Sequence, residues 1–249
     1  MSLLVLDNAT RRFGGLNAVD GVTFSVEPGE VVGLIGPNGA GKTTMINMIT
    51  GVHPATSGRI QFDGRDITRM RPHQIAKLGL ARTFQIVQPF PKMTVVENVA
   101  AGALFAGGET SLKDAHAAAL EHLRFTGLAD VADRPAAALT LAQRKRLELA
   151  KGLAMNPRLL MLDEVNAGLN ASEVDDALGM IRRIAERGVT IVLVEHLMKV
   201  VLAISKRIIV LHHGQLIAQG DPREVLRDRT VIEAYLGPKY AAAYSGGAA

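Results

Sequence analysis

Cysteine and tryptophan are both absent from this chain of 249 residues. Without cysteine there can be no disulfide framework, thiolate metal site or cysteine nucleophile, and the composition suits a reducing compartment such as the cytoplasm. Aromatic residues make up only 4% of the chain, which leaves few stacking platforms for single-stranded nucleic acid. No apolar run approaches the roughly 20 residues needed to cross a bilayer. The greasiest stretch, 189–211, is interrupted by Glu195, His196, Lys199, Lys206 and Arg207. Residues 1–7 carry neither the basic region nor the apolar core of a secretory signal, so export is not expected and any membrane association is expected to be peripheral. Charge of one sign is scarce as well: 28 basic residues face 24 acidic ones, a net +4 that is scattered rather than gathered into a stripe. No nucleic-acid partner is expected from that balance. The densest basic cluster, Arg144-Lys145-Arg146, reads as a solvated helix face.

What the chain does have is core-forming material, with 48% hydrophobic residues, enough for one large α/β domain or two small lobes. Residues 1–30 alternate apolar and polar positions between Gly14-Gly15, Asp20-Gly21 and Pro28-Gly29, which predicts antiparallel strands and turns. Residues 58–67 predict a further hairpin turning at Asp63-Gly64. From about 72 to 155 the apolar spacing becomes helical, as an inserted lobe. Then come an apolar strand at 159–162, a helix carrying Val174, Leu178, Ile181 and Ala185, and a strand at 190–194. That alternation argues for a parallel sheet with crossover helices. The chain beyond Arg207 predicts a hairpin and a helix opened by Asp221-Pro222.

The apolar run Val31–Ile35 leads directly into Gly36-Pro37-Asn38-Gly39-Ala40-Gly41-Lys42-Thr43, which satisfies G-x-x-x-x-G-K-[ST]. Glycines let the backbone wrap so that its N–H groups line an anion site at a helix start. Lys42 would neutralise the β- and γ-phosphates of a triphosphate, and the Thr43 hydroxyl would be a hard oxygen ligand for Mg²⁺. A phosphate loop alone leaves GTPases, kinases, recombinases and transporters open. A second strand, 159–162, ends in Asp163-Glu164, which puts two carboxylates at the carboxyl edge of the sheet, where such folds bind ligands. Asp163 would hold Mg²⁺ through water, and Glu164 would polarise an attacking water. The next strand delivers His196 to the same kind of edge, as a possible donor to the γ-phosphate. Gln85 is an uncharged amide able to reach Mg²⁺ or the water.

Phosphate loop, Gln85, Asp163-Glu164 and His196 stand in the order of an ATP-binding-cassette ATPase, and the chain resembles that family over essentially its full length. The resemblance implies an α/β P-loop NTPase with a parallel-sheet core, an antiparallel β subdomain and an inserted helical subdomain. It implies one domain over 1–237, with 1–84 and 156–237 as catalytic core and β subdomain, 85–155 as helical subdomain, and 238–249 as a tail. Bound ATP and Mg²⁺ follow, with Gly36, Pro37, Asn38, Gly39, Ala40, Gly41, Lys42, Thr43 and Thr44 as the nucleotide loop. Phe13 is implied to stack on adenine with Val19 packed nearby. Gly168, Leu169 and Asn170 are implied to form the loop that communicates across a dimer.

The likeness narrows to ATP-binding subunits of high-affinity branched-chain amino acid importers through Arg82-Thr83-Phe84-Gln85, Phe90-Pro91-Lys92-Met93-Thr94-Val95-Val96-Glu97-Asn98-Val99, Ala167-Gly168-Leu169-Asn170, Glu195-His196-Leu197-Met198-Lys199-Val200-Val201 and Val231-Ile232-Glu233-Ala234-Tyr235-Leu236-Gly237. Importers of urea, short amides or aromatic acids share much of this pattern. One position departs from the family. Its signature reads Leu-Ser-x-Gly-Gln, whereas here Thr140, Leu141, Ala142 and Gln143 follow Leu139, and the Ala142 methyl stands where a glycine normally approaches the partner's nucleotide. Such subunits work as head-to-tail dimers, with a second copy or a second ATPase, on membrane permeases fed by a periplasmic or extracellular substrate-binding protein. The expected location is the cytoplasmic face of a bacterial or archaeal plasma membrane. Two other readings stand beside this one: a soluble cassette acting on DNA or ribosomes, and a regulatory subunit that binds nucleotide without hydrolysing it.

Overall fold

A computed structural model describes residues 1–85 and 87–236, and the expected tail at 238–249 lies outside the described residues. The chain divides into two compact units, Met1–Met70 with the segment from Val192 onward, and Arg71–Ile191. The first unit opens with β1 (Leu4–Phe13), β2 (Leu16–Val26), β3 (Val31–Ile35), α1 (Lys42–Ile49), β4 (Ser57–Phe62) and β5 (Arg65–Asp66). The second holds α2 (Pro72–Lys77), β6 (Leu80–Arg82), α3 (Val95–Gly102), α4 (Leu112–Thr126), α5 (Leu141–Ala154), β7 (Leu159–Asp163) and α6 (Ala171–Glu186). The division falls within β8 (Thr190–Val194), after which the first unit resumes with α7 (Met198–Ile204), β9 (Arg207–His212), β10 (Gln215–Gly220), α8 (Pro222–Val225) and α9 (Arg229–Leu236).

The period-2 pattern at the amino terminus builds an antiparallel sheet in the order β2-β1-β4-β5. Leu4 pairs with Val26 and Phe62, and Leu6 with Phe24 and Ile60, so that one face is buried throughout. Each such side chain contributes about 1.5–3 kcal/mol on burial. All five residues of β3 are buried, the mark of a strand covered on both faces. It runs parallel to β9, with Val32 opposite Arg207 and Ile35 opposite Val210, and β10 adds antiparallel to β9. Ile35, Ile208 and Val210 share a core with Val201 of α7, Val225 of α8 and Val231 of α9.

At the approach to β3, Arg207 donates to Glu30 at 2.7 and 3.0 Å and to the Ser25 carbonyl at 2.5 Å. Burial around Glu30 raises its pKa, but the bonds from Arg207 and from the Glu27 backbone outweigh that, and the carboxyl titrates below its ordinary value.

In the second unit β6 pairs in parallel with β7, Leu80 opposite Leu159 and Arg82 opposite Met161. This strand interrupts the helical stretch expected over 72–155. Three residues are too few to display a period, and the strand exists because β7 supplies its partner. Beyond it the helical pattern holds. Val95, Val99, Ala115, Ala119, Leu123, Leu147 and Ala150 of α3, α4 and α5 form one buried cluster. The starts of α3, α5 and α6 are fixed locally by reciprocal caps, Thr94 with Glu97, Thr140 with Gln143 and Asn170 with Glu173.

Arg207→Met should lower the unfolding free energy by about 2 kcal/mol, since it strands the half-buried Glu30 carboxylate. A carboxyl whose folded pKa is depressed stabilises the fold above its unfolded value, here 4.5, and loses that contribution as pH falls through the folded value. The gap between wild type and variant in denaturant titrations should therefore close below pH 4.5. A gap that persists unchanged into acid contradicts this account.

Candidate nucleotide site

Between Ile35 and Lys42 the backbone turns through Gly36, Gly39 and Gly41, at φ 152°, 78° and 102°. Two of these glycines are required by close approach. A Cβ on Gly36 would stand 2.2 Å from the Leu211 carbonyl oxygen, and one on Gly41 would stand 2.5 Å from that of Ala18. The turn joining β9 to β10 braces the loop, because Gly214 donates its N–H to the Ala40 carbonyl at 3.0 Å and accepts from the Asp20 N–H at 2.8 Å. Val19 is fully buried beneath the loop, its Cγ2 3.6 Å from the Cβ position of Gly41.

Helix α1 begins at Lys42 without a side-chain cap and without an acid in its first turn, so its positive end is kept for an anion. The Lys42 ammonium donates to the carbonyls of Gly36 at 2.6 Å and Pro37 at 3.0 Å. A phosphate outcompetes such neutral acceptors for a cation. The Thr43 side chain is exposed and Thr44 half-buried. These residues fit a nucleotide phosphate, and the Thr43 hydroxyl is the hard-oxygen donor that Mg²⁺ prefers.

Also in the first unit, Phe13 is 42% exposed, with the Arg11 guanidinium 4.5 Å over its ring and His53 at its edge, ring centroids 5.5 Å apart. Arg11 and His53 were not legible as site residues in the sequence. His196 follows β8 and is exposed. Tyr235, on α9, was not legible as a site residue in the sequence. The Gly36 N–H faces its hydroxyl, and burial pushes its pKa up to about 12 against that hydrogen bond's pull downward. Its only sequence signal was membership of the carboxyl-terminal motif.

In the second unit, Gln85, Asp163 and Glu164 come together. The Gln85 amide donates to the Glu164 carboxylate at 2.6 Å. Asp163 is buried and paired with Arg82 at 3.2 Å, and its N–H donates to the Thr83 hydroxyl at 3.1 Å. Burial lowers the Arg82 pKa, and the neighbouring Asp163 charge offsets only part of that. Glu164 sits at φ 47°, a left-handed conformation that costs a non-glycine residue about 1 kcal/mol or more.

The expected solvated basic face on α5 needs correction. Lys145 is 9% exposed, and its ammonium donates to the carbonyls of both Gln85 and Glu164 at 3.1 Å. Arg146 reaches Asp176 at 3.1 Å, and Arg144 donates to the Ala137 carbonyl at 2.9 Å. Composition marked a cluster, but only the helical phase of α5 decides which of the three points inward.

Thr140 and Gln143 of the signature spend their polar groups on capping α5, at 3.3 and 3.0 Å. Leu141 is half-exposed and Ala142 half-buried. A Cβ on Gly168, at φ 79°, would stand 3.0 Å from the Leu141 Cδ2, so the signature and the Gly168-Leu169-Asn170 loop touch within one chain. Asn170 then caps α6. Fully buried Asn98 shapes the segment after Gln85: its Oδ1 accepts from the Phe90 N–H at 2.8 Å, and its Nδ2 donates to the Phe90 and Thr94 carbonyls at 3.1 and 2.9 Å. Phe90 is left 53% exposed.

With this geometry in place, the comparisons with known proteins agree on one lineage. The ABC transporter family model matches residues 19–167, and that of the branched-chain amino acid ATP-binding cassette transporter family matches residues 215–237. The chain is similar to the high-affinity branched-chain amino acid transport ATP-binding protein BraF of Pseudomonas aeruginosa, 41% identical over 94% of this chain and 98% of that one. It is 39% identical to LivG of Escherichia coli, of the same description, with the same coverage. Among solved structures, the ADP conformation of MJ1267, an ATP-binding cassette of an ABC transporter, matches with a TM-score of 0.86, 35% identity and coverage of 95% and 99%. The dimeric post-hydrolysis cassette MJ0796, bound to ADP and Pi, matches with a TM-score of 0.79 at 26% identity, over 88% of this chain and 99% of that one.

Tyr235→Phe removes one hydrogen bond at the first residue of the loop. It should weaken ATP binding about fivefold, the worth of one bond of about 1 kcal/mol. An equilibrium titration with a fluorescent ATP analogue measures this, and unaltered affinity would show that the hydroxyl does not support the loop.

Proposed function

The chain belongs to the ABC transporter family of ATP-binding cassettes, and from that membership we propose that it is the ATP-hydrolysing subunit of an importer for branched-chain or closely related amino acids. The observation that carries the cargo is the likeness to curated branched-chain amino acid subunits over nearly the whole chain, carboxyl-terminal motif included. In this reading the chain acts peripherally at the cytoplasmic face of the membrane. It pairs head to tail with a second copy or a second cassette and drives permeases fed by a substrate-binding protein. The segment 87–99, with Phe90 held outward by Asn98, is the surface for the permease's cytoplasmic helices.

ATP lies on the backbone N–H groups of the loop from Gly36 to Thr44, its adenine against Phe13. Lys42 balances the β- and γ-phosphate charge. Thr43, Asp163 and Gln85 would hold Mg²⁺, which would supply Lewis-acid polarisation of the phosphoryl oxygens. Glu164 orients a water and takes its proton as the water oxygen bonds to the γ-phosphorus. The bond from that phosphorus to the β,γ-bridging oxygen breaks, and its electron pair leaves with ADP. His196 donates to the γ-phosphate as charge develops. The Gln85 amide N–H is given to Glu164, which leaves its carbonyl oxygen as the donor it would offer to Mg²⁺.

Two outcomes test the reading in a reconstituted transporter. ATP turnover should rise when the binding protein is loaded with leucine, isoleucine or valine and not with urea, and Glu164→Gln should keep ATP binding while turnover falls at least about a hundredfold. Stimulation by urea alone overturns the cargo, and retained hydrolysis in E164Q overturns the role of Glu164. The signature departure gives a further expectation. Ala142→Gly should raise turnover by letting α5 approach the partner's nucleotide, at a helix cost of about 1 kcal/mol. Unchanged turnover would mean that the methyl obstructs nothing.

A further inference from the structure

Lys145 donates to two carbonyls from a position where a lysine is costly. A buried ammonium survives only if acceptors replace its water, and here the Gln85 and Glu164 carbonyls do so, each at 3.1 Å. The same two residues are joined at their side chains by the 2.6 Å bond from the Gln85 amide to the Glu164 carboxylate. The pair is therefore tied twice, once through side chains and once through a cation shared by the main chains. Glu164 holds a left-handed backbone at φ 47°, a conformation that persists only when its surroundings over-determine it.

The lysine belongs to α5, a 14-residue helix whose first residues carry the signature, and Leu141 lies one helical turn before it on the same side. A rigid helix passes a displacement at its amino terminus to Lys145 with little loss. We propose that Lys145 is a positioning residue that couples the signature end of α5 to the Glu164–Gln85 pair, so that docking of the signature on a partner cassette sets the carboxylate for water activation on this one. The proposal rests on the reading of Glu164 as the water-activating group. It adds a route between the two composite sites of a dimer that runs inside one chain.

Initial ATPase rates of the assembled transporter over an ATP titration decide it. Lys145→Met should lower kcat by about ten- to a hundredfold, the usual effect of a lost supporting residue, while KM for ATP stays within about twofold. Lys145→Arg, which can reach both carbonyls, should recover at least about half of the wild-type kcat. Wild-type kcat in K145M overturns the coupling, as does a parallel loss of kcat and ATP affinity, which a merely structural lysine would give. If K145M does not fold, Lys145→Gln carries the same expectations and the same failures. Active E164Q would instead remove the proposed role of Glu164. Silent E164Q beside fully active K145M would overturn the coupling alone.

Discussion

Everything in the first unit depends on backbone packing directly on backbone at the phosphate loop. At Gly36 and Gly41 a carbonyl from another strand occupies the space a side chain would need. The loop is thus clamped between the end of β9, through Leu211, and β2, through Ala18, with the Gly214 turn bonded to both Ala40 and Asp20. Such contacts are stiff, because they have no rotamers to adjust. That stiffness fixes the backbone of the loop in advance, and preorganisation is what makes electrostatic stabilisation effective in phosphoryl transfer. The fully buried strand β3 and the Arg207–Glu30 pair hold the chain leading into it.

The second unit solves a different problem. Its catalytic candidates sit at the end of β7 and in the connections that follow β6 and β7, where regular structure ends and the backbone needs other partners. Caps and buried polar side chains provide them. Thr140, Asn170 and Thr94 set the helix starts, Thr83 receives the Asp163 N–H, and Lys145 collects two carbonyls. Asn98 does the same for the loop that presents Phe90. Residues whose composition suggests solvent exposure are in several cases what shapes the loops.

The legible parts of the sequence were those with local causes. The phosphate loop follows from glycine spacing behind five apolar residues, the strand at 159–162 from its unbroken apolar run, and α8 from the Asp221-Pro222 cap and first-turn rule. The family likeness rested on the same landmarks. The strand β6 was not legible, because three residues carry no period. Nor was the burial of Lys145 between two half-buried arginines, since a charge run reads identically whichever member is buried. The contact of Tyr235 with Gly36 joins positions almost two hundred residues apart, and no local pattern reports it.

By itself, then, the sequence determined the chemistry: a triphosphate loop, a strand ending in two acids, and the order that marks an ATP-binding cassette. These are encoded in spacing along the chain, where steric and hydrogen-bonding rules act over a few residues. Tertiary structure alone decided which groups hold that chemistry in place. It assigned the Gly36 and Gly41 contacts to particular carbonyls, gave Glu164 its left-handed backbone, and placed an α5 ammonium on both Gln85 and Glu164. The reason is physical. Burial and long-range hydrogen bonding depend on what the fold brings alongside a residue, and a residue's own neighbours in sequence do not specify that.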